Sequence, residues 1–152
     1  MRLRWLFVVA LLLEGCGGGA RASEPTPVAK PAGVPLYDRL GGMDVIDAVV
    51  RDFVDVRIAQ DDRIRDRFKT SDKTRLKKML AAQICEVSGG PCKYTGKNMH
   101  EAHAGIGIGD AEIRVFLEDL RRALEAANIP AHDQDELLNL LGQYHGEIVE
   151  AQ

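Results

Sequence analysis

Two of the four histidines, His100 and His103, lie close together in a glycine-rich stretch with the sequence YTGKNMHEAHAGIGI. Four residues of this stretch recur at helical spacing and predict one apolar face of a short helix: Met99, Ala102, His103 and Ile106. A neutral histidine on such a face can present a ring nitrogen to a buried metal or to a haem iron. The alternative is a core histidine satisfied by a hydrogen bond. Spacing alone leaves both interpretations open.

The N-terminus has the pattern of an export signal. Arg2 and Arg4 precede the apolar run WLFVVALLL, and Gly15 and Cys16 follow it. The run is too short for a permanent membrane span. The sequence LEGC resembles a bacterial lipoprotein cleavage site, which predicts that residues 1–15 are removed and that Cys16 is lipidated. Glu14 is unusual for such a site, so ordinary secretory cleavage remains the alternative. Either route predicts an exported protein, periplasmic or anchored in a membrane by lipid.

Residues 16–34 are rich in glycine, proline and small polar residues, which predicts a flexible linker. Residues 35–152 are then expected to form one domain, because a chain of 152 residues is long enough for one hydrophobic core and too short for two. Basic and acidic residues are interspersed and the net charge is −3, so no basic patch suited to nucleic acid is present. The membrane is expected to be contacted only through the lipid anchor.

The hydrophobic period of the domain predicts an all-α fold. A helix is expected over 43–58, and a second begins at Ser71 or Asp72 and reaches Val87. A third begins at Asp110 and ends before Pro130. Asp133 and Glu136 form a capping-box pattern that predicts the start of the last helix. No strand pattern appears.

Cys85 and Cys92 flank a short turn of glycine and proline. Export to an oxidising compartment favours a disulfide between them, which would stabilise the fold by about 2–3 kcal/mol in the chain-entropy model. A zinc site with His100 and His103 is disfavoured, because there is no C-x-x-C pair and H-x-x-H is tighter than the usual finger spacing. C-x-x-C-H is also absent, so any haem is expected to be bound non-covalently.

Three segments together resemble the group I truncated haemoglobins, a family of small bacterial globins. They are LYDRLGG (36–42), GGPCKYTGKNMHEAHAGIGI (89–108), and the Asp61-Asp62 pair followed by Phe68. The resemblance runs from about Val34 to the C-terminus. It implies a two-over-two helical sandwich that holds haem b, with His103 as the proximal ligand of the iron.

The resemblance and the helical stripes together imply the residues that contact haem. The predicted cofactor-binding residues are Phe68, Leu76, Leu80, Tyr94, Met99, Ala102, Ile108 and Ile113. The family places groups near the haem carboxylates at the positions of Lys93 and Tyr94, and a cation suits such a site.

The distal side, where a gas would bind, departs from the family. Many group I members have a tyrosine at the position of Val54 and a glutamine at that of Leu80. Neither aliphatic side chain can donate a hydrogen bond to bound oxygen, although Gln83, one turn beyond Leu80, can restore a donor. A lost bond to a charged acceptor is worth about 1.5–3 kcal/mol, so oxygen affinity is expected to fall ten-fold or more. Carbon monoxide and nitric oxide depend less on such donors.

The sequence therefore predicts a haem protein that binds diatomic gases (O2, NO or CO). Family members bind oxygen and some detoxify nitric oxide, but the apolar distal pair argues against that enzymatic activity here. Met79 is either a flexible core filler or a sixth iron ligand, and the latter would indicate an electron carrier or sensor with an unknown redox partner. The remaining alternatives are a haem-free helical lipoprotein that binds protein partners and a zinc-stabilised helical module.

Overall fold

The structure, a computed structural model, describes residues 33–150. The predicted signal segment, Cys16, most of the predicted linker and residues 151–152 lie outside the described part of the chain. The helices, in chain order, are α1 (Leu36–Leu40), α2 (Gly42–Asp52), a π-helical turn (Phe53–Arg57), α3 (Ile58–Gln60), a 3-10 helix (Arg65–Phe68), α4 (Lys73–Val87), α5 (Met99–His103), α6 (Asp110–Ala126), α7 (Ala131–Gly142) and α8 (His145–Ile148). Residues 33–150 contain no strand, which confirms the all-α prediction.

The core forms where α2 packs against α4 and α6, and where α7 packs against α1, α4 and α6. The apolar stripe of α2 explains this contact, since Ile46, Val49 and Val50 are all buried. Phe53 is fully buried at the end of α2 and meets the ring of Phe116 on α6 edge to face, with centroids 4.8 Å apart. These contacts hold α4 and α6 as the rigid supports of the site described below.

The helix predicted over 43–58 is interrupted by the π-helical turn at Phe53–Arg57. The backbone stays helical from residue 42 to residue 60, but the turn widens the spiral and shifts the faces of the residues that follow. Phe53 and Val54 in this turn are both buried in the core. Hydrophobic spacing cannot reveal such a turn, because it averages over the register change.

The prediction that Asp133 and Glu136 cap the last helix is wrong. The helix begins two residues earlier, at Ala131 after Pro130. Both carboxylates bind Arg39 of α1 instead, with Asp133 Oδ1 at 3.1 Å from Arg39 Nη1. The predicted single C-terminal helix is also divided, since α7 ends at Gly142 and α8 follows.

Cys85 and Cys92 are joined by a disulfide in the structure, with their Cα atoms 5.8 Å apart. The bond connects the last turns of α4 to the segment that leads to Tyr94, and Cys85 is fully buried. None of the helices in residues 33–150 is both long enough and apolar enough to cross a bilayer.

Candidate functional site

A cavity of about 530 Å³ opens on one side of the helical core. This volume lies within the range of small-molecule and cofactor sites. Its wall is mostly apolar and comes from the 3-10 helix, α4, α5, the following loop, α6 and the C-terminal helices. The apolar residues that line it are Ile64, Phe68, Leu76, Met79, Leu80, Met99, Ala102, Ile106, Ile108, Ile113, Phe116, Leu117, Leu141 and Ile148.

His103 lies in this wall, half-buried, at the last position of α5. Its Nδ1 atom is 2.8 Å from the carbonyl oxygen of Met99, one helical turn earlier. A carbonyl oxygen only accepts hydrogen bonds, so Nδ1 must carry the proton and a neutral ring keeps its lone pair on Nε2. Metal-binding histidines are commonly held by this kind of backbone contact. His100 is exposed and is not in the wall.

The short helix α5 is fixed at its start by Asn98, whose side chain accepts a hydrogen bond from the Glu101 amide at 2.8 Å. The helix ends at His103, so Ile106 lies beyond it and is 46% exposed. The prediction that Ile106 shares the helical face of His103 is therefore wrong. Gly105, with φ of +75°, follows the helix and turns the chain into the next loop.

The wall contributed by α4 contains Leu76, Met79, Leu80 and Gln83. These residues share one face of the helix, and three of them carry no hydrogen-bond donor in the side chain. The Gln83 amide donates to the Met99 sulfur at 3.4 Å, which joins α4 to α5. Val54, predicted in the distal pocket, is buried in the core and is not among the residues that line the cavity.

Three cations lie where the cavity meets solvent: Arg67, Arg75 and Lys97 line it and are exposed. Arg67 is paired with Glu112. Within residues 33–150, Arg75 and Lys97 make no ion pair and are available to an anionic group. Lys93, expected near the haem carboxylates, is outside the wall and pairs with Glu86 at 3.4 Å.

The sequence reasoning missed Arg75 and Lys97. Arg75 precedes Met79 by one helical turn, so it lies on the predicted face of α4 and its place near the cavity could have been inferred from this spacing. Lys97 follows from no periodic pattern, because it lies in the loop before α5 and is brought to the cavity by the fold of that loop.

Tyr94 lines the cavity and donates its hydroxyl proton to the carbonyl oxygen of Lys97 at 2.9 Å. Burial raises the pKa of the Tyr94 phenol, and the positive charge of Arg75 opposes this shift only in part. The hydroxyl is therefore neutral at physiological pH and serves as a donor. This bond shapes the turn that carries Lys97 to the mouth of the cavity.

The C-terminal helices supply wall residues that the sequence did not indicate, Tyr144 and His145. His145 Nε2 is 2.8 Å from Asp110 Oδ1, at the first residue of α6. This pair attaches α8 to the start of α6. Because α8 also packs on α5, it closes the side of the cavity near His103.

Residues 35–150 match the family model described as bacterial-like globin. The chain belongs to the bacterial-like globin family. It is 32% identical over 120 residues to the group 1 truncated hemoglobin GlbN of Mycolicibacterium paratuberculosis, covering 79% of this chain and 86% of the relative. It is 29% identical over 114 residues to a group 1 truncated hemoglobin of Tetrahymena pyriformis, covering 68% and 93%. The resemblance to the group I truncated haemoglobins is confirmed.

Solved structures show the same fold as this globin. The ferric truncated hemoglobin of Tetrahymena pyriformis superposes with a TM-score of 0.73 at 25% identity, covering 76% of this chain and 98% of that one. The 2/2 hemoglobin of a Synechococcus species, described with covalently attached heme, gives a TM-score of 0.70 at 24% identity, with 76% and 98% covered. The predicted truncated-globin fold is confirmed.

The cavity of this globin has the features that haem requires. Its wall is mostly apolar, which suits the porphyrin plane. His103 offers a neutral ring nitrogen with the opposite nitrogen already bonded to the backbone. Arg75 and Lys97 are unpaired cations at the mouth, which suits the two carboxylates of haem b. The donor set of the site and its charges therefore fit the cofactor.

Proposed function

We propose that this globin binds haem b non-covalently, with His103 as the axial ligand of the iron, and takes a diatomic gas on the opposite face. The observation that carries the proposal is the 2.8 Å contact between His103 Nδ1 and the Met99 carbonyl. In the neutral ring this contact places the proton on Nδ1 and the lone pair on Nε2, on a side chain that lines a mostly apolar cavity. The chain of a globin that had lost its cofactor would have no need of this arrangement.

The residues have separate roles in this proposal. When bound, haem supplies an iron centre that takes O2, NO or CO. Phe68, Leu76 and Leu80 exclude water from the side facing α4. Arg75 and Lys97 hold the carboxylates at the mouth, and Tyr94 fixes the turn that carries Lys97.

The gas-binding side is apolar. Leu80 carries no donor, and the Gln83 amide is already bonded to Met99. We infer weak stabilisation of bound oxygen, which argues against nitric oxide detoxification because that reaction needs oxygen to remain bound. Reversible binding of a gas is therefore favoured over an enzymatic role.

The test is an absorption titration of the mature domain with haem, in the ferric and ferrous states, with His103→Ala and the matched variant His100→Ala. His100 is on the same helix but is exposed and outside the wall, so its loss should leave the Soret band unchanged. We expect stoichiometric binding and a ferrous spectrum that changes only with His103→Ala. Complete extraction of the haem into acidified butanone is expected for non-covalent binding, and haem retained on the protein would contradict it.

A second coordination state is favoured by one observation, the position of Met79 in the wall on α4. If its sulfur closes the sixth site of the iron, the protein is an electron carrier or redox sensor. The ferrous spectrum then shows six-coordinate low-spin bands that Met79→Leu abolishes. A five-coordinate ferrous spectrum in the unmodified protein excludes this state.

If haem does not bind at all, a haem-free helical module that binds protein partners becomes the favoured function.

We also propose that the protein is exported and lipidated at Cys16. The Cys85–Cys92 disulfide supports an oxidising compartment. Mass spectrometry of the protein purified from bacterial membranes should find an acylated N-terminal Cys16, and Cys16→Ser should move the protein into the soluble fraction. A soluble mature protein that begins elsewhere would instead support ordinary secretory cleavage.

A further inference from the structure

The loop that follows His103, residues 104–109, is held by Glu150, a residue that follows α8. The two carboxylate oxygens of Glu150 accept hydrogen bonds from the amides of Gly105 and Gly107, the latter at 3.0 Å. The amide of Glu150 donates to the carbonyl oxygen of Ile108 at 3.1 Å. Gly105 and Gly107 have φ values of +75° and +70°, which turn their amides toward one carboxylate. The loop thus forms an anion-binding concavity that the chain itself fills.

The same loop is held from the opposite direction by Arg67 of the 3-10 helix. Its guanidinium donates to the carbonyl oxygens of Ile106 at 3.1 Å and Gly107 at 3.3 Å. Arg67 is also paired with Glu112, which accepts a hydrogen bond from the Gly109 amide at 2.9 Å. One carboxylate therefore binds the amides of the loop, and one guanidinium binds its carbonyls.

The helix that precedes Glu150 completes the connection to the cavity. α8 packs on α5, the helix that carries His103, and its residues His145 and Ile148 line the cavity. Besides these contacts, the loop has backbone hydrogen bonds from the Ile106 amide to the His103 carbonyl oxygen at 3.2 Å and from the Ala104 amide to that of His100 at 2.9 Å. No side chain packs at Gly105 or Gly107, where a Cβ would have open space around it. Glycine is the residue with the most backbone freedom, so an unheld loop here would open readily.

We propose that Glu150 and Arg67 are positioning residues, a latch that fixes the loop after His103 and keeps the adjacent cavity wall closed around bound haem. The inference rests on the proposed haem binding. The latch acts on the rate at which the cavity opens and on the orientation of the His103 ring. It touches neither the iron nor the gas.

The test compares Glu150→Ala and Glu150→Gln with the matched control Glu147→Ala in the full mature chain. Glu147 lies on α8, three residues before Glu150, and its side chain is exposed and has no partner in residues 33–150. The substitution Glu147→Ala therefore removes the same charge from the same segment without removing a contact. Amide hydrogen exchange of the haem-free protein measures directly how readily the loop opens. In Glu150→Ala, exchange in residues 104–109 should rise about ten-fold or more, because a charge-assisted pair of hydrogen bonds is lost. Glu147→Ala should stay within about two-fold of the unmodified protein.

The loaded protein gives two further readouts. Haem transfer to excess apomyoglobin should be about ten-fold faster in Glu150→Ala, intermediate in Glu150→Gln, which keeps one acceptor oxygen, and unchanged in Glu147→Ala. The iron–histidine stretching band of the ferrous protein should shift in Glu150→Ala, which a merely structural loss elsewhere would not produce. Arg67→Gln should give the same pattern.

The outcomes separate the latch from the haem hypothesis. Faster exchange in residues 104–109 with unchanged haem transfer and an unchanged band would overturn the positioning role. Unchanged exchange in Glu150→Ala would overturn the latch itself. Absence of haem binding in the unmodified protein would overturn the proposed function, and the exchange data would then show only that the loop is held.

Discussion

The ring of Tyr94 folds back over Gly96 so closely that a Cβ on residue 96 would lie 2.3 Å from the Tyr94 hydroxyl oxygen and 2.4 Å from Cζ. The φ angle of Gly96 is not the reason for glycine here, since it lies outside the left-handed region. The reason is space: only a residue without a side chain lets the phenol reach the carbonyl of Lys97.

Gly96→Ala is therefore expected to displace the Tyr94 ring and break its bond to Lys97. Overpacking of this kind typically costs about 1–3 kcal/mol in the free energy of unfolding. Haem affinity should also fall, because the turn that carries Lys97 to the cavity mouth is altered. Urea denaturation of the haem-free protein and haem titration measure the two effects.

Gly146→Ala is the control for this substitution. Gly146 lies in α8, has open space at the Cβ position and does not have a left-handed φ. Alanine should be neutral or slightly stabilising there. Equal losses in both variants would mean that the contact between Tyr94 and Gly96 is not the cause.

Much of the scaffold follows from the sequence, because periodic apolar residues and caps are local signals. Asp72 accepts a hydrogen bond from the Arg75 amide at the start of α4, and α6 begins at Asp110, as predicted. The π-helical turn at Phe53–Arg57 could not be predicted, because its extra residue is accommodated by packing and leaves no local pattern.

The sequence indicated the apolar part of the cavity together with His103, Tyr94 and Gln83, but it did not indicate several other polar residues of the site. Leu76 and Leu80 lie on one helical face and could be assigned from spacing. Lys97, His145 and Glu150 reach the site through loops and a short C-terminal helix, where contacts depend on the whole fold. The same limit explains Asp133, whose capping-type position in the sequence is overridden by Arg39.

Arg39 joins α1 to α7 through Asp133 and Glu136, and its side chain is only 9% exposed. Arg39→Met would remove the arginine counter-charge of the buried Asp133 carboxylate, which is 4% exposed, and leave it only the contact with His132 Nδ1 at 3.2 Å. Removing one partner of a buried pair typically costs about 3–5 kcal/mol, and we expect the free energy of unfolding to fall by an amount in this range. Arg65→Met, which removes exposed ion pairs with Asp62 and Asp66, should cost less than about 1 kcal/mol. Chemical denaturation of both variants checks the contrast, and similar costs would contradict it.

Asp119 is 1% exposed, and its Oδ2 atom has no hydrogen-bond partner in the structure. Burial raises the pKa of this carboxyl above its ordinary value of 3.8, and the neighbouring Asp61 adds to the shift, while Arg122 opposes it. A raised pKa means that the ionised form is disfavoured in the fold. Asp119 therefore destabilises the protein most above its folded pKa, and this cost disappears as the pH falls below 3.8.

Asp119→Asn keeps an oxygen acceptor for Arg122 and removes the charge. We expect the variant to be more stable than the unmodified protein at pH 7, with the difference shrinking as the pH is lowered toward 4. Urea denaturation of both proteins across this range measures the difference. A less stable variant at pH 7 would show that the ion pair with Arg122 outweighs the cost of burial.

If the proposed site binds oxygen, we expect Leu80 rather than Val54 to govern how well it is held, because Leu80 lies in the wall on α4 and Val54 does not line the cavity. Leu80→Gln places an amide donor in this apolar wall, and a hydrogen bond to a partly charged acceptor is worth about 1.5–3 kcal/mol. Oxygen dissociation should therefore slow by about ten-fold or more, as measured by stopped-flow mixing of the oxygen-bound protein with carbon monoxide.

Leu80→Met, which has similar volume and no donor, should leave the rate of oxygen dissociation nearly unchanged. The carbon monoxide dissociation rate should change little in either variant, since that ligand carries less charge. If oxygen dissociation from the unmodified protein is already slow and Leu80→Gln does not alter it, then another group, with Gln83 the first candidate, must stabilise the bound gas.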